Sequence, residues 1–273
     1  MKIGFCFLAV DDIKNIEIWQ SWFANASTDF EIFIHSKTKY NNYPNYSVFK
    51  NKLIRQYAKT EWGKLISAQM YLWQNAYNSG CDYVVLVGDK NLPINQFEFL
   101  EQELKNANGK SIFNYSNPWW GKNMYKYEIP KFKVMGAYQW IIVNREHMRM
   151  LFESHKIFSE LRRTLKHPDD ESYPATTINY YNQLTPEFIE RKNLTYVDWS
   201  RKTKNNNHPY TFKIIDDYNY NLLNNRAKIY IFARKFDELS EDDKLKILKI
   251  QNERLFNIDY SRKNKSMEKL VTR

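Results

Sequence analysis

Three consecutive carboxylates, Asp169-Asp170-Glu171, follow Lys166-His167-Pro168 and precede Ser172-Tyr173. Pro168 stops a preceding helix, and Asp169 or Asp170 can cap a following one. A cap needs one acidic side chain, and this triplet offers three. Like charges so close disfavour full ionisation of the group, which suits a general base. Metal binding is a rival use of the same oxygens, although the chain contains no Asp-x-Asp pair. A second cluster runs Thr195-Tyr196-Val197-Asp198-Trp199-Ser200 and then His208-Pro209-Tyr210-Thr211-Phe212. A Trp beside an Asp just past a short strand can form a sugar platform with a hydroxyl acceptor next to it. Spacing alone favours the plainer alternative, a packing Trp with a turn-forming Asp. His208 precedes Pro and is held extended, as a ligand or as a loop residue. In the third cluster, Ile229 to Asp237, an apolar strand delivers Arg234 and Lys235, which face opposite ways if the strand continues. One of the two cations could then reach a buried anion.

The elements that must position these groups alternate. Lys2–Val10 reads as a buried strand, and Ile13, Ile16, Trp19, Trp22 and Phe23 follow at helical spacing. Phe30–His35 is a second strand, about Trp62 to Tyr77 a helix, and Asp82–Val87 a third strand ended by Gly88-Asp89. Phe97, Leu100 and Leu104 mark another helix, and Ser111–Asn114 a fourth strand. This rhythm predicts an α/β fold whose sheet is mostly parallel and flanked by helices. Asn117–Lys133 has no periodicity and is long enough to be a functional loop. Gly136–Val143 returns to strand character and Glu146–Leu165 to helix. Ser240-Glu241-Asp242-Asp243 opens the last helix with a capping-box pattern. Only Lys202–His208 resembles a linker, so the expectation is one catalytic domain over residues 1–260, with a basic tail at 261–273.

The 273 residues carry 41 Lys+Arg against 31 Asp+Glu, a formal charge of +10, and 16% are aromatic. With 43% hydrophobic residues and only 7 Gly and 8 Pro, disordered and collagen-like chains are excluded. Basic charge with many aromatics fits nucleic acid, through phosphate contacts and base stacking. It fits a sugar-nucleotide enzyme equally well, with cations on a diphosphate and aromatics under sugar rings. No helix carries a concentrated basic stripe and no nucleic-acid-binding motif occurs, so no nucleic-acid partner is expected. The apolar run Ile3–Val10 is followed by Asp11-Asp12 rather than a cleavage site, and no window suits a membrane span. Cys6 and Cys81 sit in strand-like runs and read as buried thiols. The expected location is cytoplasmic.

Taken together, the motifs resemble those of a known family. Val87–Ile94 (Gly-Asp-x-x-Leu-Pro-Ile), Gly136–Trp140, Asp170–Thr176, Val197–Ser200, His208–Phe212 and Phe232–Phe236 occur in the order seen in the core-2/I-branching β-1,6-N-acetylglucosaminyltransferase family, closest to its plant-type members. Glu61-Trp62-Gly63-Lys64 is similar to a further stretch of that family, and the likeness covers roughly residues 2–239. It implies a GT-A-type fold and inverting transfer from a UDP-sugar to a glycan hydroxyl. It also implies Glu171 as the general base, Lys235 on the diphosphate, and Trp199 against the acceptor. Lys64, Arg234 and His208 then belong to the donor side, and Asp198 and Tyr173 to the acceptor side. No metal or other cofactor is implied. Animal members carry an Arg where this chain has Tyr210, and Arg234, Arg201 or Lys213 is left to replace it. Those members also have a membrane anchor and several disulfides, which this sequence lacks. The departure at Tyr210 keeps a catalytically inactive carbohydrate-binding homologue among the alternatives, beside a basic nucleic-acid-binding protein.

Overall fold

Strand β1 (Lys2–Ala9) is flanked by two parallel partners, β2 (Asp29–Ser36) and β3 (Tyr83–Gly88). Each of the three is a short run of apolar residues bounded by polar ones, and all three have buried centres. The register places Cys6 between Phe33 and Leu86 on one face. Phe5 lies between Ile32 and Val85 on the other face, as period-2 alternation requires. In this computed structural model residues 1–38, 43–116, 134–154, 157, 169–201 and 208–253 are described. Contacts divide the chain into two units. The first comprises Met1–Ile13, Ser27–Asp89 and Glu101–Leu194, and the second Lys14–Ala26, Lys90–Leu100 and Thr195–Arg273.

The first unit is built on a six-stranded sheet in the order β2-β1-β3-β8-β5-β9, where β5 is Ser111–Ile112, β8 Ile142–Asn144 and β9 Ile189–Glu190. Only β8 runs against its neighbours. The sheet is therefore mixed and mostly parallel, as the alternating pattern predicts. Helices α2 (Ile66–Asn78) and α4 (Arg145–Glu153) pack with the Cys6 face. Their Ile66, Trp73, Ala76, Met148 and Leu151 join Cys6, Val84 and Leu86 in one core. Each large side chain buried there contributes roughly 1.5–3 kcal/mol. Gly4 sits at the tightest point of this face, where an added Cβ would lie 3.1 Å from Ala76 Cβ and from Cys81 Sγ. Cys6 and Cys81 are free and buried, as their apolar surroundings predict.

Two expectations need correction here. The stretch Gly136–Val143 is two strands, β7 (Gly136–Ala137) and β8, separated by a turn in which Ile141 N donates to Gln139 O. β7 pairs with β6 (Tyr115–Ser116) in a separate ribbon. Helix α2 starts at Ile66 rather than Trp62, because Gly63 adopts φ 76° and breaks the helical path. The expected loop 117–133, the far end of the Glu146–Leu165 helix, the linker 202–207 and the tail 261–273 lie outside the described residues.

The second unit has a three-stranded sheet, β10 (Thr195–Val197), β11 (Phe232–Arg234) and β4 (Asn91–Pro93), with β11 parallel to β10 and antiparallel to β4. Helix α1 (Ile16–Ala24) supplies Trp19 and Trp22 to an aromatic core with Phe232 and Phe97. Both indoles are buried, and their N–H groups donate to Asn91 O and Asn95 O at 3.2 and 2.7 Å. That satisfies the polar end each Trp brings into the core. Asn15 ties the start of α1 to the 237–239 segment, donating to Asp237 O and accepting from Leu239 N. Helix α3 (Phe97–Ala107) begins in this unit, and helix α6 (Asp217–Arg226) is capped by Asp216, which accepts from Asn219 N at 2.8 Å. The last helix, over 241–253, starts beyond Ser240, whose hydroxyl accepts from Asp243 N at 3.3 Å. Among the described residues no helix is long and apolar enough to cross a membrane.

Candidate active site

The carboxylate triplet opens helix α5 (Asp169–Tyr180) of the first unit, and its members separate sharply by environment. Asp169 and Asp170 are both 5% exposed, whereas Glu171 faces solvent. Asp169 reaches across to a second helix. Its carboxylate accepts from Leu65 N at 2.8 Å and Ile66 N at 3.2 Å, so it caps α2, whose own N-cap residue Leu65 has no side-chain acceptor. Asp169 N in turn donates to Gly63 O at 2.9 Å. Residues 61–64 form a tight turn closed by Lys64 N donating to Glu61 O at 3.0 Å. Gly63 supplies the positive φ required at the third residue of a type II turn. The turn carrying Lys64 and the helix start carrying Glu171 are therefore one assembly. Lys64 is exposed and ion-paired with Glu61.

Tyr173 requires a correction. It is fully buried, and its hydroxyl donates to Leu151 O at 2.6 Å and approaches Ser154 O at 3.3 Å. Two helical positions beyond Glu171, the chain has turned inward, so Tyr173 packs α5 onto α4 and does not face an acceptor. Among the described residues no three His, Cys, Asp or Glu side chains converge as a metal site.

The second unit gathers the other two clusters. Asp198 is 1% exposed, and its carboxylate accepts from Ser200 N, Ser200 Oγ and Arg201 Nε at 3.0, 2.7 and 2.6 Å. Burial alone would push its pKa up, but these donors outweigh it and hold the carboxyl below its ordinary value. Asp198 thus anchors Arg201 and turns the chain, leaving its neighbour Trp199 55% exposed. The 208–212 segment docks beside it through Tyr210 N donating to Asp198 O at 2.9 Å. Phe212 N donates to Lys235 O at 2.7 Å, which brings the third cluster alongside. The strand ends at Arg234, the Arg234–Lys235 peptide is cis, and both cations are half-buried. His208 is exposed.

Of the three cations named for the missing arginine, Arg201 packs directly against Tyr210. Its guanidinium lies 3.3 Å from the Tyr210 ring centroid, and Nη1 donates to Asn219 Oδ1 at 2.8 Å. A planar guanidinium stacks well on an aromatic face, so a cation sits directly over the tyrosine. Lys213 is exposed and Arg234 lies on the neighbouring strand. The interval between Trp199 and Tyr210 hides this pairing from the sequence.

One site was missed by sequence reasoning. At the carboxyl end of β2, His35, Ser36, Leu53, Ile54, Arg55, Gln56 and Tyr57 line a cavity of about 130 Å³. His35 is 1% exposed and stacks on Tyr57 with an interplanar angle of 13°. Its Nε2 accepts from Ala58 N at 3.1 Å, which puts the ring proton on Nδ1, and Nδ1 has no partner among the described residues. Burial pushes the His35 pKa down, so the ring is neutral. The signal available beforehand was a His-Ser pair at a strand end.

The mostly parallel α/β sheet flanked by helices is the fold class expected of a glycosyltransferase. The sequence profile of core-2/I-branching enzymes matches residues 3–226, and the chain belongs to that family of glycosyltransferases. No curated protein sequence matches it significantly. A crystal structure of a glycosyltransferase involved in the glycosylation of the major capsid of PBCV-1 is similar over 84% of this chain and 92% of its own, at 10% identity and TM-score 0.38. A 4-diphosphocytidyl-2C-methyl-D-erythritol synthase from Anaerococcus prevotii is similar over 70% of this chain and 88% of its own, at 10% identity and TM-score 0.38. For a cytidylyltransferase from Leptospira borgpetersenii the shares are 70% and 76%, at 10% identity and TM-score 0.39.

Proposed function

We infer that this enzyme moves a sugar, GlcNAc or xylose, from a UDP-sugar to a hydroxyl of a glycan acceptor with inversion and without a metal ion. The observation that carries the reading is the separation within the triplet: Asp169 and Asp170 are buried, and Glu171 alone faces solvent. Glu171 acts as general base. It removes the acceptor proton as that oxygen bonds the anomeric carbon, while the bond from that carbon to the diphosphate oxygen breaks on the opposite side. The transition state has oxocarbenium character, as in glycosidases.

Negative charge grows on the departing diphosphate. Lys235, with Arg234 and the Tyr210-stacked Arg201 as further cations, meets that charge where other enzymes use a divalent ion. Loss of one preorganised group of this kind costs on the order of 3–4 kcal/mol. The cavity at the end of β2 suits the flat base of the donor, because open α/β sheets bind ligands at the carboxyl ends of strands. Its volume admits one ring rather than a whole nucleotide sugar, and Nδ1 of His35 offers a donor to a base carbonyl.

The test is UDP release from a panel of UDP-sugars with and without glycan acceptors. Glu171→Gln should lower transfer by about 10²–10⁴-fold while leaving UDP affinity nearly unchanged. Retained turnover would sink the base assignment. Full activity in excess EDTA is expected; strict dependence on Mn²⁺ or Mg²⁺ would overturn the metal-free reading.

A further inference from the structure

We propose that Trp62 is the stacking platform for the acceptor sugar ring whose hydroxyl Glu171 deprotonates. The proposal rests on the reading of Glu171 as the base. Trp62 is 79% exposed, the most exposed large hydrophobic side chain among the described residues. Scattered surface apolar residues are ordinary and need no function. What distinguishes Trp62 is how its backbone is held. It occupies the second position of the 61–64 turn, and that turn and the two residues that follow it are tied to the first residue of α5 by three hydrogen bonds. Gly63 O accepts from Asp169 N, while Leu65 N and Ile66 N donate to the Asp169 carboxylate. Asp169 is 5% exposed, so these bonds are shielded from water. Glu171 follows two residues later and faces solvent.

An exposed indole and an exposed carboxylate are thus borne by two tightly joined backbone segments of one unit. A pyranose ring needs both: an apolar face for its C–H surface and an acceptor oxygen for one hydroxyl. A ring seated on Trp62 with a hydroxyl on Glu171 is the acceptor, because the base acts on the attacking oxygen. The Glu61–Lys64 ion pair spans the same turn. Trp199, in the second unit, remains a separate aromatic.

The experiment uses the full chain labelled with ¹⁵N at indole nitrogens, with the Trp62 resonance identified by its loss in Trp62→Phe. Methyl glycosides of galactose, N-acetylgalactosamine, N-acetylglucosamine and xylose are titrated to high concentration. At least one should shift the Trp62 indole in wild type and, equally, in Glu171→Gln. With that glycoside as acceptor, Trp62→Ala should raise its KM by about tenfold, as expected for one lost stacking contact. Donor KM and acceptor-free donor hydrolysis should stay within about twofold of wild type. Trp62→Phe should fall between the two. An indole that no glycoside moves, an unchanged acceptor KM, or a parallel loss of donor hydrolysis would overturn the platform. Continued turnover by Glu171→Gln would instead refute the base, whatever Trp62 does.

Discussion

Asp169 gives the sharpest test of how the corner that carries Glu171 is assembled. Substituting Ala removes the acceptor for Leu65 N and Ile66 N at the start of α2. Loss of an N-cap costs about 1–2 kcal/mol. Removing a carboxylate from a helix N-terminus costs about 0.3–1 kcal/mol more, toward the upper end at a buried site. The sum is about 2–3 kcal/mol. Asp169→Asn keeps one acceptor oxygen and loses only the charge, so it should cost about 1 kcal/mol. Urea titration followed by circular dichroism reads both values, and hydrogen exchange at Leu65 and Ile66 locates them. Turnover should fall in the Ala variant even under conditions where it is folded, because the 61–64 turn is no longer tied to α5. An Ala variant within about 0.5 kcal/mol of wild type, with unaltered exchange at those amides, would refute the cap and the rigidity derived from it.

Further outcomes follow from the same geometry. Gly4→Ala should destabilise the protein by about 1–3 kcal/mol in urea titration, since its Cβ would press on Ala76 and Cys81; a neutral result would mean that face can relax. Asp198 has its folded pKa depressed, so its contribution is complete above the unfolded value near about 3.9 and is lost as pH falls through the lower folded value. The urea-midpoint gap between wild type and Asp198→Asn should therefore shrink below about pH 4; a gap constant from pH 6 to pH 3 would contradict it. Tyr57→Ala, which opens the His35 cavity, should raise donor KM several-fold with acceptor KM unchanged in a UDP-release assay. An unaltered donor KM would remove that cavity from the donor site.

The strands around β1 were legible because their pattern is local: stretches of six to eight residues rich in apolar and aromatic side chains. The break in 136–143 was not, because a turn at Gln139 produces no Gly or Pro signal there. The triplet was legible as chemistry but not as two buried carboxylates beside an exposed one. Asp169's partners lie more than 100 residues away, at Leu65 and Ile66. Tyr173 was placed on the acceptor side by the resemblance alone, whereas helical rotation sends Glu171 outward and Tyr173 into the core. The Arg201–Tyr210 stack depends on a return of the chain that spacing does not encode.

The two cysteines of the first unit also provide a clock. Burial pushes the Cys81 thiol up to about 12 and the Cys6 thiol well above its ordinary value. At pH 8 the folded protein then presents Cys81 almost entirely as the protonated thiol. A disulfide reagent will find almost nothing to attack until the sheet opens. Both sulfurs lie at the β1 face that holds Gly4, so their modification times the opening of that face. Labelling rates followed by mass spectrometry would measure how often the native sheet comes apart under working conditions, without any denaturant.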